Sequence, residues 1–249
     1  MTSANIVGYQ TATIAAQKYK AFGVHFSEVG NAGAGVAIDK IGTWSSLSAA
    51  TSFGAADQIW RWDYESNAWA KYAYYGTRQL AAAWRKYDTV AKTWAELGEK
   101  DVLKQGDTFL YFRQNSKALN LTLAGEIMEL KASAEYTVES QKYKFIAYPW
   151  PVELKIADMQ VGKYLSSLSA ATSFGAADQI WRWDYTANAW AKYAYYGTRQ
   201  LAAAWRKYDT VAKTWSELGD DDKIGVDEGF LYFRQNSKAL TITFTLDNN

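Results

Sequence analysis

Few residues in this chain of 249 are equipped for chemistry. His25 is the sole histidine, and there is no cysteine. A catalytic or metal-binding imidazole needs a second ligand or an orienting partner beside it. The QKYK stretch shared by residues 17–20 and 141–144 sets Pro149 opposite His25 in the second half of the chain. His25 is therefore expected to be a partly buried polar residue. Asp57, Asp63 and Asp88, with Asp178, Asp184 and Asp209, offer the two carboxylates that glycoside hydrolysis requires. Their places at strand ends and bends favour the other use of Asp, which is to bond its own backbone. Asp220, Asp221 and Asp222, with Asp227 and Glu228, carry oxygen ligands suited to Ca²⁺. They lack the spacing of an EF-hand, and a solvated turn is the preferred reading. No catalytic residue, cofactor or metal ion is assigned, and the chain is read as a non-enzyme.

The aromatic residues say more. The chain has 12 Trp and 18 Tyr. In a strand, Trp60 and Trp62 point to one face while Ile59 and Arg61 point to the other. If the tryptophan face is core, Arg61 lies outside. If Ile59 is core, Trp60 and Trp62 stand on the surface beside Tyr72 or Tyr74, with Trp181, Trp183, Tyr193 and Tyr195 as their equivalents. An exposed aromatic patch marks a surface for binding or assembly, and flat indole faces also suit sugar rings. Both orientations remain open on the sequence alone.

These residues lie in a stretch that occurs twice. Residues 45–98 match residues 166–219 except that Glu65 becomes Thr186, Ser66 becomes Ala187 and Ala95 becomes Ser216. Such a repeat predicts two tandem homologous domains, 1–126 and 127–249, each all-β and sandwich- or barrel-like. Asp57–Asp63 and Ala68–Tyr75 alternate about a turn, which is a hairpin signal. Trp84–Asp88 and Thr93–Trp94 suggest a second hairpin. The three- to four-residue recurrence of Leu80, Trp84, Tyr87, Ala91, Trp94 and Leu97 also fits a helix over 78–97, but strands are favoured. The leading segments 5–41 and 129–159 have diverged strongly, whereas the body has not. The N-terminal strand, with Ile6, Val7, Tyr9, Thr11 and Thr13, carries no charge to blunt its edge and is the candidate for exchange between molecules.

The order Val7-Gly8-Tyr9, Asp57-Gln58-Ile59, Trp84 with Tyr87-Asp88, and Gly106-Asp107-Thr108-Phe109 resembles a group of secreted bacterial proteins built from duplicated β-rich domains. That resemblance implies export, an extracellular or cell-surface location and a β fold, with Met1 standing where a signal peptide was removed or replaced. It implies no activity. Asp63-Tyr64 and Asn67-Ala68-Trp69 also resemble a kelch repeat, but the spacing does not supply several blades. The formal net charge of +1 gives no general pull toward nucleic acid, and no apolar run is long enough to span a bilayer. The functional expectation is a secreted structural protein that assembles with copies of itself. The alternative is a carbohydrate-binding module that takes a polysaccharide on Trp60, Trp62 and their second-copy equivalents.

Overall fold

The computed structural model describes residues 7–29, 35–40, 43–44, 46–127 and 133–246. The chain divides into two compact units, residues 1–128 and 129–249. Unit 1 contains β1 (Val7–Ile14), β2 (Tyr19–Gly23), β3 (Phe26–Ser27), β4 (Val36–Ala37), β5 (Thr43–Trp44), β6 (Gln58–Asp63), β7 (Ala68–Tyr75), β8 (Ala83–Asp88), β9 (Thr93–Ala95), β10 (Val102–Leu103), β11 (Thr108–Phe112) and β12 (Leu119–Ile127). Its main sheet has the order β2-β11-β6-β7-β8-β9, and a second sheet runs β1-β12-β3 with β5 also on β12. Neither sheet closes into a barrel. Their facing sides share one core, with Ile14, Leu119, Leu121 and Leu123 from the second sheet packed among Phe22, Ile59, Tyr72, Trp84, Phe109 and Tyr111 from the first. The fold is all-β and sandwich-like.

Unit 2 contains β13 (Ser133–Val138), β14 (Tyr143–Ala147), β15 (Leu154–Lys155), β16 (Gln179–Asp184), β17 (Ala189–Tyr196), β18 (Ala204–Asp209), β19 (Thr214–Ser216), β20 (Lys223–Ile224), β21 (Gly229–Phe233) and β22 (Leu240–Thr245). Its main sheet, β14-β21-β16-β17-β18-β19, has the order of the first, while its second sheet is the pair β13-β22. Where unit 1 places β3, unit 2 has Tyr148 and Trp150, with Tyr148 packed against Trp150, Tyr164 and Phe244.

The hairpins follow from local chemistry. Asp63 accepts hydrogen bonds from the Glu65 N–H and the Ser66 hydroxyl at 3.0 and 2.9 Å, and Asn67 takes the left-handed conformation at φ 51° that Asn tolerates. At the next bend Asp88 accepts from the N–H groups of Val90 and Ala91, both at 2.8 Å. Those two bonds hold the Asp88 carboxyl below its ordinary pKa. Residues 83–88 and 93–95 are therefore strands, and the helical recurrence over 78–97 reflects rings that meet across the hairpin. Trp94 packs back on Tyr87 and Tyr75, with ring centres 4.7 and 4.4 Å apart. Thr77 caps a short turn here, its hydroxyl oxygen accepting from the N–H groups of Gln79 and Leu80.

The N-terminal strand pairs within its own unit. From Val7 to Ile14 it runs antiparallel to β12, with Val7, Tyr9, Thr11 and Thr13 in that pairing; Ile6 lies outside the described residues. Its larger side chains face outward, with Tyr9 78% and Val7 58% exposed. The inward row begins with Gly8, which pairs with Gly125. A Cβ on Gly8 would meet Ile127 at 2.5 Å and one on Gly125 the Ser27 carbonyl oxygen at 2.3 Å. This close approach puts the small residues inside, and the strand reaches the core with Ile14.

Candidate functional site

The main sheet of each unit has one dry face and one aromatic face. Residues directly opposite in an antiparallel sheet share a face. The register places Tyr111, Ile59, Tyr72, Lys86 and Ala95 in one row and Leu110, Trp60, Lys71, Tyr87 and Trp94 in the next. The first row points into the sandwich, where Ile59, Tyr72 and Tyr111 are fully buried. The second lies on the opposite face, where Trp60, Lys71, Tyr87 and Trp94 are half-buried. Trp62 and Trp69 are paired on the same outer side. Of the two orientations that the sequence leaves open, the structure takes the one with Ile59 in the core.

The neighbours of Trp60 and Trp62 differ from those expected. Tyr72 and Tyr193 are fully buried in the inner row, so they belong to no surface. Tyr74 and Tyr195 share that inner side, half-buried against Trp84 and Trp205 at ring-centre distances of 5.8 and 5.6 Å. The cause is the register of the first hairpin, which pairs Ile59 with Tyr72 and Trp60 with Lys71. Counting across the bend from Asp63 to Ala68 would have found Trp69 and Lys71. Phe53 comes from the loop before β6 and Tyr87 and Trp94 from the second hairpin, and no local pattern marks them as neighbours.

The rings of the outer face are continuous. Trp69 stands edge-on to both Trp62 and Trp60, at 5.3 and 6.0 Å. Phe53 stacks on Tyr87 at 5.0 Å and lies 6.0 Å from Trp60. The Lys71 ammonium sits 4.2 Å from the centre of Trp60 and 5.9 Å from that of Phe53, within range of a cation–π attraction. A side-chain clamp fixes the centre. The Trp60 Nε1–H donates to Gln58 Oε1 at 2.8 Å, and Gln58 Nε2 donates to the Phe53 carbonyl at 2.9 Å. Unit 2 repeats the arrangement. Lys192 is 4.2 Å from Trp181 and 5.9 Å from Phe174, with the same clamp through Gln179. Tyr143 takes the place of Tyr19 beside the central tryptophan. Phe145, where unit 1 has Ala21, adds a ring 6.4 Å from Trp190.

Two buried polar knots hold these sheets in place. Asp57 is fully buried and forms an ion pair with Arg113, itself 1% exposed. Asp57 also accepts from the N–H groups of Ser48 and Gln114, both at 2.8 Å, and Arg113 donates to the carbonyls of Lys117 and Ser46. This joins the loop that carries Phe53 to the turn after β11. Asp178 and Arg234 do the same in unit 2. Asp57 and Asp178 are thus interior anchors, while Asp63 and Asp88 serve bends. In the second knot, Asp101 accepts from the Tyr72 hydroxyl, the Lys86 ammonium and the Gly98 N–H at 2.8, 3.0 and 2.8 Å. Burial raises the Asp101 carboxyl, but those three donors outweigh it and hold the pKa below the ordinary value.

Asp222 is the equivalent of Asp101, receiving Tyr193, Lys207 and Gly219. It is therefore an inward anchor and not part of a solvated turn. Among the described residues no group of three or more His, Asp or Glu is placed to hold a metal ion. His25 is more buried than expected, at 1% exposure, and its carbonyl accepts from Gln105 at 2.7 Å. A cleft of about 620 Å³ opens beside Trp62 in unit 1, lined by Arg61, Asp63, Lys86, Lys100 and Asp107 among others. Arg61 there is committed to the carbonyls of Lys100 and Val102, at 3.2 and 2.6 Å. Among the described residues no helix is long and apolar enough to cross a membrane. No known family model matches the chain, and no curated protein matches it in sequence.

Proposed function

We propose that the chain is a non-enzymatic carbohydrate-binding protein, exported from the cell, whose two aromatic sheet faces are its binding surfaces. The main support is the continuous, half-exposed ring surface around Trp60, Trp62 and Trp69, built again around Trp181, Trp183 and Trp190. Rings that present an apolar body beside polar tips suit the apolar and hydroxylated sides of a sugar. The hydrogen-bonded clamp through Gln58 holds the central ring before any ligand arrives, and preorganisation of this kind lowers the cost of binding. Direct pairing of two such faces between molecules is less favourable, because it sets ammonium against ammonium at their centres. The test is retention on a broad panel of polysaccharides. Wild type should be retained by at least one, and Trp62→Ala with Trp183→Ala should abolish that retention while far-ultraviolet CD stays unchanged. Absence of wild-type retention across the panel rejects the reading.

A second reading, self-association, is favoured by a different surface. β1 lies at the edge of its sheet and has neither charge nor proline from Val7 to Ile14. Its counterpart β13 carries Glu135. An uncharged edge strand is a template for a strand from another molecule. Association there would use the second sheet of unit 1 and not the aromatic face of its main sheet.

A further inference from the structure

We infer that the sugar polymer taken by these faces is acidic, and that Lys71 and Lys192 select its carboxylates. This rests on the carbohydrate reading above and names the ligand class. The outer face of unit 1 carries two cationic side chains in its strands, Lys71 and Arg85, on the side of Ala73 and Trp60. Arg85 is paired with Glu96 at 3.2 Å. Lys71 makes its contacts with the rings of Trp60 and Phe53, and among the described residues no carboxylate pairs with it. Unit 2 repeats the division, with Arg206 on Glu217 at 3.3 Å and Lys192 on its rings, paired with no carboxylate among the described residues.

Each face therefore holds one ammonium, framed by aromatic rings, that pairs with no carboxylate among the described residues. The rings remove part of its water and fix its place, so a ligand anion meets a cation already positioned. Charge-assisted hydrogen bonds are about twice as strong as neutral ones. A sugar ring bearing a carboxylate supplies both halves of the match, an apolar side for the indole and an anion for the ammonium. A nucleic acid matches less well. Its backbone asks for a groove of several cations that tracks the phosphates, and of the two strand cations on each face one is already paired with a glutamate.

The experiment compares polygalacturonate with the same polymer methyl-esterified, so that backbone and hydroxyls stay and the charge goes. Wild type should bind the acidic polymer about tenfold more tightly or better, with the preference shrinking as salt rises. Lys71→Gln with Lys192→Gln should lose that preference and bind the acidic polymer and its ester alike. Lys71→Arg with Lys192→Arg should restore it, since Arg keeps both the charge and the ring contact. Lys117→Gln with Lys238→Gln removes the same charge from exposed turns and should leave binding within about twofold. Equal wild-type affinity for both polymers overturns the acidic ligand and leaves the carbohydrate reading standing. An equal loss in the turn variant, or tighter binding to a single-stranded oligonucleotide than to polygalacturonate, also overturns it. Retention on no polysaccharide removes both.

Discussion

Asp101 and Asp222 each draw three donors to a carboxylate below the sheet, and the donors include inner-row residues of β7 and β8 in unit 1 and of β17 and β18 in unit 2. Their carboxyls titrate below the ordinary value because the Gly98 or Gly219 N–H, the lysine ammonium and the tyrosine hydroxyl overcome the effect of burial. A depressed carboxylate pKa adds stability above the unfolded pKa of about 3.9, and that stability is lost as pH falls through the folded value. Asp101→Asn with Asp222→Asn should therefore lower Tm by several degrees above about pH 5. The gap to wild type should close as the medium is acidified below about pH 3. Thermal melts across that range check this, and a gap that stays constant to low pH would show that the charge is not what stabilises the knot. The same residues mark a limit of sequence reading. Tyr72 and Asp101 are 29 positions apart, and Asp57 and Arg113 are 56 apart. Short-range pattern carries no trace of such pairs, so Asp57 reads as one more turn residue when it is an interior anchor.

At the scale of strands the sequence was far more legible. Alternation around Ile59 and Trp60, the aspartates at the bends and the alternating Leu119, Leu121 and Leu123 together imply a half-buried sheet facing an apolar partner, and the core contains those residues. Alternation within one strand does not say which face is inside; the partner sheet decides that. Nor does it give the register between strands, which is how Tyr72 came to be placed beside Trp60 when it stands beside Ile59. β1 illustrates the same limit. Its larger residues suggest a core face, yet Gly8 and Gly125 must approach β3, and that turns Val7 and Tyr9 outward. The consequence for assembly lies in the strand's free edge. Thr11 is exposed there and pairs with Thr122, so a lysine at this position places a charge where an incoming strand would lie without touching the core. If β1 joins molecules, wild type forms polymers at high concentration and Thr11→Lys stays monomeric in size-exclusion chromatography. A wild-type protein that is itself monomeric rules out this edge. Removing residues 1–14 is a poorer test, because Ile14 is 1% exposed and belongs to the core.

Across the whole chain, divergence is uneven. The strongly changed leading segments contribute β1, β2 and β3 in unit 1 and β13 and β14 in unit 2, whereas β6 to β9 and β16 to β19 lie in the repeated stretch with three substitutions. Two of the three, Glu65 to Thr186 and Ser66 to Ala187, fall in the first hairpin turn, and the third, Ala95 to Ser216, lies in the last strand's inner row. None touches Trp60, Trp62, Trp69, Lys71, Tyr87 or Trp94. The tryptophans, tyrosine and lysine shared by the two aromatic faces are therefore the same, while Phe145 adds a ring to the second where the first has Ala21, so one chain presents two closely similar sites. A short acidic oligosaccharide should then bind with a stoichiometry of two and a single affinity. Trp62→Ala alone, or Trp183→Ala alone, should halve the stoichiometry and leave the remaining affinity unchanged. A long polymer offers many epitopes and can engage both faces, so the second contact proceeds at an effective concentration set by the link between them. On such a polymer either single variant should lose far more than half its binding, on the order of a hundredfold where both faces reach the ligand together. Isothermal titration with the oligosaccharide and affinity electrophoresis with the polymer separate the two effects. A stoichiometry of one in the wild type would mean that a single face binds, and that the differing supports, Ala21 against Phe145 among them, decide which.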